Sequence, residues 1–380
     1  IDGVDLSQAG IRVTNEEFEE AEATVSDEMR AALDHSIRNI WKFHETQLPE
    51  EENWVETEPG VFCCDRTTPI DTVCLYVPRG RGAFSSVACM LAVPAVLAKV
   101  PQIVLCSPPG PDGKIDAATL YVAKKLGIET VLKIGGAHGV AAVAFGTETV
   151  PKCDKMVGPG NVYMSTARRL LSREIDPGPP AGPSESLIIC DDNANLENVA
   201  WNLMIEAEHG ENSTAALLTT SLETAEAVSA FVERNVTQLS PQRQEYVKTV
   251  LSSRGGIVVV NDLDEAVAFG NDFAAEHVAV MIEDPKPFVA KLTNAGEILF
   301  GDYPIISLAN YAMGVNAILP TERGARSSSA VSVLDFVKRT ALGYVDKQGY
   351  ESLKPVVETM SQDEGFSAHH IAVQQWGDRS

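Results

Sequence analysis

Hydrophobic positions along the chain fall into two patterns, short unbroken runs and longer stretches with helical spacing. Residues 73–78 form the first short run, apolar throughout, which predicts a strand buried on both faces. Residues 85–99, rich in small side chains, predict a helix. A strand at 103–106 follows, closed by Ser107-Pro108-Pro109-Gly110, and then a helix at 117–126. Residues 130–134 read as a strand, and Gly135-Gly136-Ala137-His138-Gly139 leads into a helix at 140–145. A short segment at 155–157 precedes Gly158-Pro159-Gly160-Asn161 and a helix at 162–172. This alternation is the signature of a parallel α/β sheet.

The pattern differs at both ends. Residues 15–46 carry helical periodicity that Pro49-Glu50-Glu51-Glu52-Asn53 breaks, so the N-terminus reads as a helical arm. The loop 176–183, dense in proline and glycine, marks a domain junction. Beyond it the alternation resumes, with strands at 187–190, 215–219, 256–260, 278–282 and 297–300 and helices at 196–208, 225–235 and 265–271. After Pro320 the strands stop, and 333–341, 350–361 and 366–376 read as helices. The expected organisation is an arm with the start of the first α/β domain (1–72), that domain (73–183), a second α/β domain (184–330) and a helical tail (331–380). A tail of this kind packs across a subunit boundary.

Composition narrows the partners. The 380 residues carry a net charge of −23, which argues against nucleic acid and anionic membrane but leaves an anionic substrate open, since a pocket can be locally basic. The most sustained apolar segment, 87–100, is too short to span a bilayer. No signal peptide is visible, and the seven cysteines, odd in number and without a CxxC, read as reduced thiols of a cytoplasmic protein.

The candidate chemistry lies in the second half. Glu206 and His209 are three residues apart at a predicted helix end, so they share a face and can grip one divalent metal. A solvated helix end with a stray histidine would look the same. Glu276-His277 stands just before the apolar run 278–282, where an imidazole beside a carboxylate suits proton transfer. Asn310 can supply a carbonyl oxygen, and His369-His370, with Glu364 upstream, are either ligands or surface decoration. His35 and His44 read as surface or packing residues. There is no GxGxxG. The glycine turns at 79–82 and 135–138 each follow a strand and precede a helix, where backbone N–H groups can hold a phosphate, and His138 can touch a ligand there. Ordinary turns have the same composition.

Taken in order, these segments resemble the histidinol dehydrogenase family. The resemblance runs from about 73 to 373, through Tyr76-Val77-Pro78, Ala144-Phe145-Gly146-Thr147-Glu148, Gly158-Pro159-Gly160-Asn161, Pro180-Ala181-Gly182-Pro183-Ser184-Glu185, Ala207-Glu208-His209-Gly210, Glu276-His277, Leu319-Pro320-Thr321 and Ala368-His369. It implies two incomplete Rossmann-like domains and a homodimer with a shared active site. It also implies zinc and NAD as cofactors, and a small polar alcohol oxidised through an aldehyde to a carboxylate. Carried over by motif, His277 is the general base and Glu276 activates water. Zinc falls to Glu206, His209, Asn310 and His369, the last from the partner subunit. NAD lies near Tyr76, His138 and Asn161, and Ser85, Ser184, Glu364 and Ala317 face the substrate.

Four of these positions depart from the family pattern. Glu206 stands where the family has glutamine and Asn310 where it has aspartate, so the formal charge of the zinc ligands is unchanged. His138 replaces a glutamine and still offers a hydrogen bond. Ala317 replaces a histidine that helps hold the amino alcohol, and a site missing a polar partner binds the same ligand poorly. The combination points to another alcohol, such as the sulfonated diol 2,3-dihydroxypropane-1-sulfonate, for whose sulfonate Arg79, Arg81, Arg323 and Arg326 are candidate donors. The alternatives are a true L-histidinol dehydrogenase, a silent metal- or ligand-binding relative, and an enzyme that stops at the aldehyde.

Overall fold

The computed structural model describes residues 4, 10–79 and 82–376. Gly80 and Arg81, in the first glycine turn, lie outside the described residues. Helices α1 (Asn15–Thr24) and α2 (Asp27–Glu45) open the chain. The single helical stretch expected here is split because Ser26 caps α2, its hydroxyl accepting from Met29 N. A capping box of Thr14 and Glu17 starts α1. The charged segment after them is not part of a helical arm but a hairpin of β1 (Glu52–Glu58) and β2 (Val61–Pro69).

Strand and helix then alternate as β3 (Thr72–Tyr76), α3 (Ser85–Leu97), β4 (Gln102–Cys106), α4 (Ala117–Lys125), β5 (Thr130–Leu132), α5 (Gly136–Phe145), β6 (Lys155–Val157) and α6 (Val162–Leu170). A second series runs β7 (Glu185–Cys190), α7 (Leu196–Ala207), β8 (Thr214–Thr219), α8 (Leu222–Asn235), α9 (Pro241–Ser253) and β9 (Gly256–Val259). It continues with α10 (Leu263–Phe273), β10 (His277–Met281), α11 (Pro285–Val289), β11 (Glu297–Phe300) and α12 (Ile306–Tyr311). β12 (Val337–Val345), α13 (Lys347–Asp363) and α14 (Ser367–Trp376) complete the order.

The chain divides into two compact units, the larger formed by Ile70–Phe336 with the N-terminal segment up to Leu48. It contains two Rossmann-like parallel sheets, ordered β5-β4-β3-β6 and β11-β10-β7-β8-β9. Each begins on an inner strand, grows outward, then returns to the other side. The strand order therefore reverses between β3 and β6 and between β7 and β10. Both faces of the second sheet are covered. Ile188, Leu217 and Ala279 pack on Val199 and Leu203 of α7, while Leu187, Ile189, Val278 and Val280 face Ala266 of α10 and Phe288 of α11. That two-sided burial is why these strands read as unbroken apolar runs.

The N-terminal segment finishes the edge of the first sheet. Arg12 bridges Leu132 in antiparallel fashion, Val13 N donates to Val131 O at 2.9 Å, and Lys133 N donates to Ile11 O at 2.7 Å. Lys133, its side chain only 1% exposed, meets Glu17 Oε1 of α1 at 2.5 Å.

The smaller unit joins Pro49–Pro69 to the segment beginning at Val337. Its sheet, β1-β2-β12, is antiparallel, with register from Val337↔Pro69 to Val345↔Val61. Residues 333–341, expected to be helical, are a short 3₁₀ turn (Val333–Phe336) running into β12. Lys338, Arg339, Ala341 and Leu342 favour a helix locally, but pairing along the whole of β2 overrides that preference.

Candidate active site

The amino edge of the second sheet gathers the ionisable residues. His277 is the first residue of β10, and its register partners are Ser186 on β7 and Glu297, the first residue of β11. Glu185, which opens β7, donates its backbone N–H to Glu276 Oε2 at 2.9 Å. Helix α7 returns against its strand, so its C-terminus reaches the same edge and brings Glu206 and His209 with it. Asn202, buried in α7, accepts from Ile306 N at 3.1 Å and donates to Pro304 O at 3.3 Å. Those bonds fix α12 against α7 and set Asn310 beside Glu206.

Glu206 is the hub. Its carboxylate is 1% exposed, with Oε2 at 3.3 Å from His209 Nδ1 and Oε1 at 3.9 Å from His277 Nε2. Asn310 Nδ2 donates to Oε1 at 3.4 Å. His277 Nε2 also lies 3.8 Å from Glu276 Oε1, while its Nδ1 meets Glu297 Oε1 at 2.6 Å. His209 Nδ1 donates to the Ile205 carbonyl at 3.0 Å, which places its lone pair on Nε2. The structure thus brings five of the expected residues together: Glu206, His209, Glu276, His277 and Asn310.

Burial raises the Glu276 pKa and the charge of Glu206 adds to that rise, against the opposing effects of His277 and of the Glu185 backbone N–H bonded to the carboxylate. Burial works to lower that of His277, but the carboxylates of Glu206, Glu276 and Glu297 outweigh it and lift the value to about 10. Burial also raises Glu185. Among the described residues no lysine or arginine forms an ion pair with Glu185, Glu206, Glu276 or Glu297. Glu185 Oε2 and Glu297 Oε2 are buried without a hydrogen bond.

Such a carboxylate cluster, next to the negative end of the α7 dipole, favours a cation. Glu206, Glu276 and His277 each offer a ligand atom, all within 4.8 Å of one another. The donor set around Glu206 fits zinc: a carboxylate, an imidazole whose Nδ1–H is held by a backbone carbonyl, and an amide whose oxygen turns inward on a half rotation.

The dinucleotide candidates lie at the carboxyl edge of the first sheet. Tyr76 ends β3, Gly135 follows β5, and Asn161 caps α6 by accepting from Met164 N at 3.0 Å. A Cβ on Gly135 would collide with Pro108 and sit 3.1 Å from Tyr76 Oη, and one on Gly158 (φ +139°) would collide with the Tyr76 carbonyl. Arg168, buried in α6, donates to Gly158 O at 2.7 Å and also bonds the Pro177 and Pro179 carbonyls. It ties the loop after β6 to the junction loop. His138 is exposed on α5.

Of the substrate candidates, Ser184 adjoins Glu185, Ser85 is buried at the start of α3, and Ala317 is half-buried. Asn316, beside Ala317, donates to Met90 O at 2.8 Å and meets His44 Nε2 at 3.3 Å, so His44 is a buried packing residue. Arg323 and Arg326 are engaged by Asp272 at 2.8 and 2.9 Å, and Arg79 donates to Lys114 O at 3.0 Å. His369 and Glu364 belong to the smaller unit, where both are exposed and His369 stacks edge-on with Phe366 at 5.6 Å. The residues that sequence reasoning missed are Asn202, Glu297 and Arg168. Only Glu297 left a signal, as an acid opening an apolar strand. Among the described residues no helix is long and apolar enough to cross a membrane.

The comparisons with known proteins bear on the family and the fold. The histidinol dehydrogenase family profile matches residues 1–376. A histidinol dehydrogenase homolog of Colwellia psychrerythraea is 47% identical over 380 residues, 100% of this chain and 85% of that protein. A histidinol dehydrogenase of a Synechocystis species is 46% identical, covering 96% of this chain and 84% of its own. The crystal structure of histidinol dehydrogenase from Elizabethkingia anophelis superposes with a TM-score of 0.93 at 38% identity, over 98% of this chain and 85% of that one. With profile, relatives and fold in accord, the chain belongs to the histidinol dehydrogenase family, whose members use zinc and NAD to oxidise an alcohol group.

Proposed function

We propose that this chain, as a homodimer, oxidises a polar primary alcohol through its aldehyde to the carboxylate with two equivalents of NAD. The observation that carries the reading is the Glu276-His277 pair. The His277 Nε2 sits 3.8 Å from Glu276 and 3.9 Å from Glu206, too far for a direct hydrogen bond, so imidazole and carboxylates can all address one reacting group. Glu206, His209 and Asn310 would hold zinc, with His369 completing the set from the partner subunit; zinc supplies Lewis acidity and NAD accepts hydride. Tyr76, His138 and Asn161 would line the dinucleotide. In its neutral form His277 takes the hydroxyl proton at Nε2 in the first oxidation. Glu276 then takes a proton from the water that adds to the aldehyde, giving the hydrate that the second oxidation converts to carboxylate. Ser85, Ser184 and Glu364 would orient the substrate.

Ala317 favours an alcohol other than L-histidinol, since it cannot donate or accept the hydrogen bond expected there. A sulfonated diol such as 2,3-dihydroxypropane-1-sulfonate is the proposed substrate. The second reading, L-histidinol, is favoured by the four carboxylates, which suit an ammonium group better than a sulfonate. An NAD-reduction screen with zinc-loaded protein decides between them. Two NADH per sulfonated diol and little from L-histidinol support the proposal; the reverse supports the second reading. One NADH per alcohol places the end point at the aldehyde. No NADH from any alcohol would mean a silent binding protein.

A further inference from the structure

A third carboxylate, largely buried, touches the proposed base and has no part in the mechanism above. Glu297 opens β11 in direct register with His277 at the head of β10, and its Oε1 lies 2.6 Å from His277 Nδ1. A carboxylate only accepts, so Nδ1 carries a proton, and in the neutral ring the lone pair sits on Nε2. The surroundings otherwise pull the other way. Glu206 and Glu276, at 3.9 and 3.8 Å from Nε2, both favour a proton on that nitrogen, which would block it as a base. The contact to Glu297 is more than an ångström shorter and sets the balance. We infer that Glu297 is a positioning residue: by holding Nδ1–H it fixes the tautomer and ring plane of His277 and so presents a basic Nε2 to the substrate. The inference rests on the proposed role of His277.

The test separates the two. Zinc-loaded protein labelled with ¹⁵N-histidine is compared with H277N to assign the His277 ring nitrogens. The neutral ring of wild type is expected to be the Nδ1–H tautomer, and E297A to lose that preference. An Nε2–H tautomer in wild type, or an unchanged tautomer in E297A, overturns the inference whether or not any alcohol is oxidised. Kinetically, E297A is expected to lower kcat about 10–100-fold, with KM for NAD within about twofold. E297Q and E297D should recover part of that loss because both can still accept from Nδ1. H277N/E297A should be no slower than H277N, since Glu297 acts through the imidazole. A double variant slower than H277N by the full E297A factor would mean a merely structural role. If E297A fails to fold, E297Q carries the same comparison: slower turnover on the wild-type background, none on H277N. Absence of NADH from wild type with every alcohol would overturn the functional reading and leave the tautomer to decide this one.

Discussion

The two parallel sheets of the larger unit face their chemistry from opposite ends. In the first, the candidate ligand groups stand at the carboxyl edge: Tyr76 closing β3, Gly135 after β5 and Asn161 after β6. Helices start there, so the edge presents backbone N–H groups and positive dipole ends, which suit phosphates. In the second, they stand at the amino edge: Glu185, His277 and Glu297 opening β7, β10 and β11, with Glu206 at the end of α7. Helices finish there, so the edge presents carbonyls and negative dipole ends, which suit a metal cation or an imidazolium. One architecture thus gives an anion site or a cation site according to which edge is used.

The sharpest way to break this division is to damage each edge alone. H277N should lower kcat by about 10²–10⁴-fold and leave NADH binding, followed by fluorescence titration, nearly unchanged. G158A should do the opposite. Its Cβ would meet the Tyr76 carbonyl at a backbone φ of +139°, costing about 1–3 kcal/mol and weakening NADH binding, while bound zinc measured by elemental analysis stays constant. Loss of NADH binding in H277N, or of zinc in G158A, would show that the edges do not act separately.

A second contrast concerns charge. Lys133, buried beside the first sheet, has its own partner in Glu17, whereas among the described residues the carboxylates of the second sheet meet only histidines, with no lysine or arginine. E17Q should therefore strand a buried ammonium and cost about 3 kcal/mol, read as a fall in the denaturant midpoint. Glutamine can still accept from Thr14 N and close the capping box of α1, so the loss reports the ion pair. An E17Q protein as stable as wild type would mean that Lys133 is solvated in solution.

The alternation of strand and helix was legible in the sequence because each strand is buried on both faces, as at 187–190 and 278–281. The β1–β2 hairpin was not, because β1 is exposed nearly throughout and has no buried face to impose a period of two. β12 was hidden by helix-forming residues whose strand state depends on distant pairing. At the site, Glu206, His209 and Glu276-His277 were visible as close pairs. Glu297 is twenty residues from His277, and only the parallel register of β10 and β11 makes them neighbours. Arg168 and Asn202 looked like ordinary helical residues, since their partners are carbonyls and amides on other segments.

The smallest expected effect lies at the seam between the two sheets. Asn316, in the loop that carries Ala317, is tied to α3 through Met90 O and to α2 through His44. Burial lowers the His44 pKa below its ordinary 6.5, only partly countered by its bonds to the Ile40 and Val331 carbonyls. The folded chain therefore holds the neutral ring while the unfolded chain takes up a proton first as pH falls. His44 contributes stability above about pH 6.5 that is lost on acidification toward its folded pKa. H44Q should cost about 1 kcal/mol at pH 7.5, because glutamine meets Asn316 less well, and the gap to wild type should shrink at pH 5.5. Thermal melts at the two pH values read the difference. A gap that widens on acidification would mean that His44 is charged in the folded protein, and that the seam is held by an imidazolium.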